Sequence, residues 1–287
     1  MVLNKYDQEK SLVIDIDKNK KKIISPFCIK NKNLFYLFFA VSNDDLKTGS
    51  NTEIYLALSN NLKKWKIIQR PVIKSFSLAS KRVLSPSVIL INKIFYMAFE
   101  GRDKKTSSIF IAKSKNLIKW NINEFPILRG NNKVHFHSPF IKTDKYRQIY
   151  IYYCKKMNNK SYIRLNIYKD TNFQNKILDK RILSQSSKNE SYSIYAPSVI
   201  KLKSKWIMLY AAWSKYPIKG KIMSAISHDG IKWFKKKKAV IEPSVIYDIK
   251  HCSEPAIIRF HGKFCVFYEG SDKHGRWRIL KTKIEGF

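Results

Sequence analysis

Five acidic residues of the 287-residue sequence stand where their side chains could do acid–base chemistry. Two segments are alike, Phe99-Glu100-Gly101-Arg102-Asp103 and Tyr268-Glu269-Gly270-Ser271-Asp272, and a fifth acid, Glu254, directly precedes Pro255. Two carboxyl groups whose surroundings separate their pKa values can act as general acid and general base. The candidates for such a group are Glu100, Asp103, Glu254, Glu269 and Asp272.

Aromatic and basic residues occur close to these acids. Aromatic rings and planar hydrogen-bond donors line many small-ligand sites. The alternating pair His135 and His137 could suggest a metal site, but no third ligand is evident, so we predict neither a metal nor a cofactor. The sequence has no G-x-S-x-G elbow and no phosphate-binding glycine loop, so acyl hydrolases and nucleotide-dependent kinases are poorly supported.

A repeat of nearly 60 residues organises the chain. A residue followed by proline recurs five times, with the prolines 60, 53, 58 and 58 residues apart. Such a fixed period indicates a repeat architecture. The five dipeptides are Ser25-Pro26, Ser85-Pro86, Ser138-Pro139, Ala196-Pro197 and Glu254-Pro255.

Each proline opens the same order of segments: a short apolar run, a polar turn, a strongly aromatic run, a variable loop, a third run and a fourth. These runs are rich in β-branched and aromatic residues, and no long segment has a helical period. Four strands repeated five times predict an all-β fold, a five-bladed β-propeller forming one domain over residues 1–287. The last repeat lacks one strand, and we predict that Ser11–Asp17 supplies it and closes the ring.

The repeat resembles the five-bladed β-propeller glycosidase superfamily, which includes arabinanases, β-xylosidases, levansucrases and invertases. The resemblance covers essentially the whole chain. It rests on the x-Pro dipeptides, on the aromatic second run and on a recurring Ala-x-Ser element followed by tryptophan. The three copies of that element are Ala57-Ser59-Trp65, Ala112-Ser114-Trp120 and Ala225-Ser227-Trp233.

The resemblance implies that a sugar binds at the mouth of a central funnel, where the residues around each x-Pro line the pocket. Members of the superfamily usually carry an aspartate before one or more of these prolines. Here Glu254 is the only acid among the five x-Pro residues, and the aspartate expected in the first blade is absent. Glycoside hydrolysis usually requires two carboxyl groups that flank the scissile bond.

We therefore predict a carbohydrate-active protein, a glycoside hydrolase or a close relative. Glu254 is the first catalytic candidate, with Glu100, Asp103 or Glu269 as its partner. A different interpretation is that each E-G glutamate only accepts a hydrogen bond from a neighbouring blade, which would leave a non-catalytic sugar-binding or assembly module. The predicted substrate-binding residues are Arg82, Arg102, His137, Tyr195, Trp213, His251 and Asp272.

The chain has 56 Lys and Arg against 21 Asp and Glu, a formal net charge of +35. A codon bias toward lysine explains this charge without an anionic partner, whereas nucleic-acid or anionic-membrane binding is the alternative. The lysine clusters are predicted on the face opposite the mouth, where they would give weak polyanion binding. They are Lys63, Lys64, Lys66, Lys115, Lys119, Lys232 and Lys235 to Lys238.

Neither a transmembrane segment nor a secretory signal is predicted. The longest apolar stretch, residues 34–41, has the length of a strand. The four cysteines form no C-x-x-C pair, which favours reduced structural thiols and a cytoplasmic protein.

Overall fold

A computed structural model describes residues 10–15, 21–43 and 51–284, and these form β-strands and loops with one short 3₁₀ turn, Lys188–Glu190. The strands, in chain order, are β1 (Ser11–Ile14), β2 (Lys21–Asn31), β3 (Leu34–Asn43), β4 (Asn51–Ser59), β5 (Lys66–Ile67), β6 (Arg82–Ile91), β7 (Ile94–Arg102), β8 (Ser107–Ser114), β9 (Asn121–Ile122), β10 (Val134–Thr143), β11 (Ile149–Met157), β12 (Lys160–Tyr168), β13 (Lys176–Ser184), β14 (Ser193–Lys201), β15 (Trp206–Ser214), β16 (Lys219–Ser227), β17 (Trp233–Lys235), β18 (His251–Phe260), β19 (Lys263–Ser271) and β20 (Trp277–Ile284).

The strands pair as antiparallel meanders of four. β10 to β13 form one sheet and β14 to β17 another, and β2 to β5 and β6 to β9 are joined into one larger sheet by a single parallel bridge, Thr52 to Arg82. We call these meanders units one (β2–β5), two (β6–β9), three (β10–β13) and four (β14–β17). The prediction of an all-β fold built from four-stranded sheets is confirmed.

The fifth unit takes its outer strand from the N-terminal region. Its order is β18-β19-β20-β1, and β1 is antiparallel to β20, with Ser11 opposite Lys281. Residues 16 and 17 of the predicted N-terminal strand lie outside the described residues.

The x-Pro dipeptides lie inside the first strand of each unit, not at its start as predicted. The register shifts at each of them, for example between Ile24 and Phe27 in β2, which marks a β-bulge. The residue before proline has a φ between 45° and 55° in all five units. A bulge accommodates proline, which cannot donate a ladder hydrogen bond, and the left-handed backbone costs a non-glycine residue about 1 kcal/mol or more.

The fourth runs of repeats one, two and four, predicted as strands over residues 66–73, 123–129 and 237–243, give only short outer strands at or just before these ranges. β5 and β9 have two residues each and β17 has three, whereas β13 has nine. Proline removes a backbone donor, and Pro71 and Pro126 interrupt the outer segments of units one and two. Isolated bridges such as Ile54 to Ile73 continue the pairing beyond the interruption.

The hydrophobic core consists of five clusters, one between each pair of neighbouring units. Phe99 belongs to the cluster between units one and two, and Tyr210 to the one between units three and four. Phe267 packs between units five and one. The first strands contact one another in a closed cycle: β2, β6, β10, β14, β18 and again β2. All five first strands therefore lie side by side around one axis.

The turns that precede the repeated tryptophans lie at the opposite end of the strands from the E-G segments. They begin with the Ser-x-Asn or Ser-x-Asp sequences at Ser59, Ser114 and Ser227. In unit two, Glu100 pairs with Ile109 at one end of β7, and Phe95 pairs with Ser114 at the other. Ser114 Oγ accepts the N–H of Leu117 at 3.0 Å, which holds the turn before Trp120. The lysines of these turns therefore point away from the E-G face.

Two residues of these turns differ from prediction. Lys235 pairs with the buried Glu190 at 2.6 Å, so its ammonium group belongs to an internal ion pair rather than to an open basic surface. The sequence predicts Phe173 of the third repeat at the offset of the tryptophans, but its φ of 59° matches that of Leu62 and Leu117. It occupies the left-handed position of the turn because the side chain of Asp170 holds this turn in unit three.

Candidate active site

Glu100 is fully buried at the end of β7 and joins units two and three. Its Oε1 accepts hydrogen bonds from Ser107 Oγ at 2.6 Å and His137 Nδ1 at 2.8 Å, and it also pairs with Arg102. Its Oε2 accepts the backbone N–H of Ser138 at 3.0 Å. Burial alone would raise the pKa of Glu100, but Arg102 and His137 outweigh it and hold the pKa well below its usual range.

Glu269 occupies the equivalent place at the end of β19. Its Oε2 accepts the backbone N–H of Ser25 at 3.0 Å, so it holds the bulge of unit one as Glu100 holds that of unit three. No arginine of its own repeat pairs with it, because Ser271 stands where Arg102 stands in unit two. Burial and the nearby Glu254 charge raise the pKa of Glu269 well above its ordinary value.

Glu254 is the acid of the x-Pro ring. It lines an axial cavity of about 30 Å³ together with Ser25, Ser85, Ser138 and Ala196. Burial, with the added repulsion of Glu100, raises its pKa to about 7, although Arg102 and the Ser25 and Ser85 hydroxyls favour its ionised form. Its left-handed φ of 45° carries the same backbone strain as its four counterparts.

Asp103 and Asp272 both organise their own turns. Asp103 Oδ1 accepts the backbone N–H groups of Lys105 and Thr106 at 2.6 Å, and Asp272 Oδ1 accepts those of His274 and Arg276 at 2.9 and 3.0 Å. Burial opposes ionisation of Asp103, but these backbone donors prevail and lower its pKa. The two differ in access, because Asp103 is half-buried whereas Asp272 is buried and paired with arginines.

A cavity of about 580 Å³ opens between units two and three, at the end of the strands where Glu100 lies. Volumes of this size are typical of small-ligand sites. Arg102, Asp103, His135 and His137 line it, and Glu254 does not. The remaining lining comes from residues 104–107, 132–133 and 156–159.

Aromatic residues form a second cluster at the boundary of units four and five. The rings of Trp213, His251 and Trp277 contact one another, with centroid distances of 4.7 Å from Trp213 to His251, 6.0 Å from His251 to Trp277 and 6.3 Å between the tryptophans. Ser253 accepts Trp213 Nε1 at 3.4 Å, and its hydroxyl contacts Tyr195 Oη at 2.7 Å. Burial and then the Lys250 and Lys219 charges lower the pKa of His251, which favours a neutral ring.

The aromatic cluster and the group of residues around Glu100 both lie next to Glu254 and Glu269. Burial raises the pKa of Tyr195 well above its usual value, and the charges of Glu269 and Glu254 add to this. The Tyr195 phenol also interacts electrostatically with Arg102. Arg82 lies at the start of β6, opposite Arg102 in the strand register. Most of the predicted residues therefore occur around one axis, whereas Asp272 is paired with Arg276 and Arg278 of its own unit.

The chain matches the family model described as the glycosyl hydrolases family 32 N-terminal domain over residues 26–203. The chain belongs to this family. No curated protein matches it significantly.

Solved structures of glycosidases share the fold. A thermostable family-43 glycoside hydrolase is 19% identical with a TM-score of 0.79, covering 94% of this chain and 91% of that one. An endo-arabinase from Bacteroides thetaiotaomicron VPI-5482 is 15% identical with a TM-score of 0.75, covering 96% and 98%. A β-1,2-mannobiose phosphorylase from Listeria innocua is 12% identical with a TM-score of 0.77, covering 95% and 92%. The predicted membership of the β-propeller glycosidase superfamily is confirmed, and the chain is a carbohydrate-active protein of that superfamily.

Sequence reasoning missed three side chains of the site: Ser107, Ser253 and Trp277. Ser107 and Trp277 each begin the third strand of their unit, directly after the loop that follows an E-G segment. That position could have identified them. Within the described ranges, no group of three or more His, Cys, Asp or Glu could hold a metal ion, and no helix is long and apolar enough to span a bilayer.

Proposed function

We propose that the chain is a five-bladed propeller of one domain, closed by β1, that cleaves a glycosidic bond at the E-G end of its axis. The observation that carries the proposal is Glu254, whose carboxyl group stands alone among three serines and an alanine in the x-Pro ring with a pKa of about 7. A carboxyl group of that pKa is protonated in part at neutral pH, as a general acid must be.

The partner carboxylate that we propose is Asp103. Glu100 and Glu269 are buried, and each uses an oxygen to hold the bulge of the next unit, so neither has a free face for a sugar. Asp103 is half-buried, lines the large cavity and has a lowered pKa. Two carboxyl groups with pKa values moved in opposite directions fit the division of labour between acid and base.

The neighbouring residues would bind the sugar. The cluster of Trp213, His251 and Trp277 offers ring faces for C–H groups, and Arg102 and His137 offer nitrogen atoms for hydroxyl groups. Arg102 and His137 are fixed by Glu100, so they need little reordering when the sugar binds.

The test compares two classes of substrate in the Glu254→Gln variant. A general acid is needed most when the leaving alcohol is a poor leaving group, and least for activated aryl glycosides. We expect turnover of oligosaccharides to fall about 1000-fold and that of 4-nitrophenyl glycosides about tenfold or less. Equal losses on both classes, or wild-type activity on oligosaccharides, would refute the role of Glu254.

Asp103→Asn is measured beside Asp144→Asn as a matched control. Asp144 is also half-buried and caps a turn with two N–H bonds of 2.9 Å, but that turn follows β10 at the opposite end. We expect only Asp103→Asn to abolish cleavage. Similar activities in the two variants would limit Asp103 to a structural role in its turn.

A cytoplasmic location is part of the same proposal. Cys28, Cys154, Cys252 and Cys265 are buried and free, which suits a reducing compartment. Weak polyanion binding is also proposed, through the lysines of the turns opposite the E-G end.

A further inference from the structure

The cavity between units two and three is cationic. Five of its fourteen lining residues are Lys or Arg, against 56 of 287 in the whole chain. The five are Arg102, Lys104, Lys105, Lys133 and Lys156, and Asp103 is the one acid of the lining. A concave surface of one charge sign concentrates ligands of the opposite sign.

The local acids do not neutralise this charge. Glu100 pairs with Arg102 and His137, and the Asp103 carboxylate is already held by the backbone of its own turn. Within the described part of the chain, no carboxylate lies within ion-pair distance of the cavity lysines, of which Lys133 and Lys156 lie at adjoining ends of unit three, next to the paired strands β10 and β11. The positive potential is therefore available to a ligand.

We propose that this cavity binds an oxyanion carried by the glycan: a carboxylate, sulfate or phosphate substituent of the sugar. The inference rests on the proposed function and narrows its substrate class to acidic glycans. Asn132, Asn158 and Asn159 in the same lining supply amide groups for the hydroxyls of the charged sugar. A neutral glycan would leave the lysines without a counter-charge, so it would bind more weakly.

The experiment measures binding to oligosaccharides in matched pairs: uronate-containing chains beside their carboxyl-reduced forms, and sulfated and phosphorylated chains beside their neutral parents. We expect at least one charged member to bind about tenfold more tightly than its parent at low salt, with the difference shrinking as salt rises. Inorganic phosphate alone forms a separate arm.

Two charge-reversal variants locate the effect. Lys133→Glu with Lys156→Glu should abolish the preference for the charged member, whereas Lys63→Glu with Lys64→Glu, an equal change of net charge at the opposite end, should preserve it. Circular dichroism checks that both variants fold. Equal losses in the two variants would overturn the assignment to this cavity.

The remaining outcomes separate this inference from the proposed function. If neutral and charged members are bound or cleaved equally well, the proposed function stands and the inference falls. If inorganic phosphate strengthens the binding of neutral glycans while charged members gain nothing, the oxyanion is a separate molecule and the sugar-borne assignment is wrong. If no glycan is bound or cleaved, both are wrong.

Discussion

Glu100 Oε2 accepts the backbone N–H of Ser138 at 3.0 Å, so a carboxylate of one unit holds the strained x-Pro bulge of the next. Glu269 makes the same contact with Ser25 across the boundary between the last unit and the first. The E-G glutamates therefore link neighbouring units by hydrogen bonds, as one interpretation of the sequence anticipated.

Loss of charge at Glu100 and at Glu269 should change the free energy of unfolding by different amounts. Glu100→Gln leaves Arg102 and His137 beside a neutral amide and should cost about 3 kcal/mol of unfolding free energy, since an uncompensated buried charge is expensive. Glu269→Gln should cost less than about 1 kcal/mol, because the raised pKa of Glu269 already favours its neutral form and the amide oxygen can still accept the Ser25 N–H. Urea denaturation at pH 7 measures both, and equal costs would contradict the assignment.

The raised pKa of Glu254 makes stability depend on pH. Its folded-state pKa is about 7 against an ordinary 4.5, so between these values the folded state holds more protons than the unfolded state. The free energy of unfolding should therefore fall as pH rises through this window. Glu254→Gln removes the effect, so the variant should gain about 3 kcal/mol relative to the native chain at pH 8 and much less at pH 4.5. Thermal melts across pH check this, and a constant difference would contradict it.

Glu254 should also determine how the activity depends on pH. A general acid works only when protonated, so kcat/KM of the native chain should decline above pH 7. The lowered pKa of Asp103 should place the acidic limb of the profile below the ordinary aspartate pKa of 3.8. Rates on one oligosaccharide across pH test this, and a rate that rises above pH 7 would contradict Glu254 as the acid.

Removal of residues 1–18 should strongly destabilise the fold. The deletion removes β1 from the edge of β20 and also Lys10, whose buried ammonium group pairs with Asp248 at 2.7 Å. Leaving that buried carboxylate unpaired alone should cost about 3–5 kcal/mol. Removal of residues 1–9, which retains both features, is the control. If the longer deletion melts at the native temperature, the closure argument is wrong.

Polyanion binding should be weak, sensitive to salt and confined to the turns opposite the E-G end. We expect a variant with reversed charges at Lys63, Lys64 and Lys236 to Lys238 to elute from heparin at a lower salt concentration than the native chain. Its sugar cleavage should be unchanged. Lys235 is left intact because it neutralises the buried Glu190. Loss of cleavage in this variant would mean that these lysines contribute to the sugar site.

The repeat alone determined the all-β fold and the four-strand unit. Its x-Pro dipeptides and aromatic runs recur because each unit buries the same two sheet faces against its neighbours, and such a period is visible in a linear sequence. The position of the proline within the first strand was not visible, because a bulge depends on the pairing partner as well as on the residue.

The sequence also predicted that these side chains would meet, since the same position of each unit comes to the same axis. Only the tertiary structure separated their environments. Glu100 and Glu269 occur in matching motifs, yet Arg102 and His137 outweigh burial and lower the pKa of one, while burial and then Glu254 raise the pKa of the other. His137 reaches Glu100 from the next unit, and the Ser25 N–H reaches Glu269 from unit one, so these contacts join segments far apart in the chain. Burial and charge at such distances depend on packing, which residue order does not reveal.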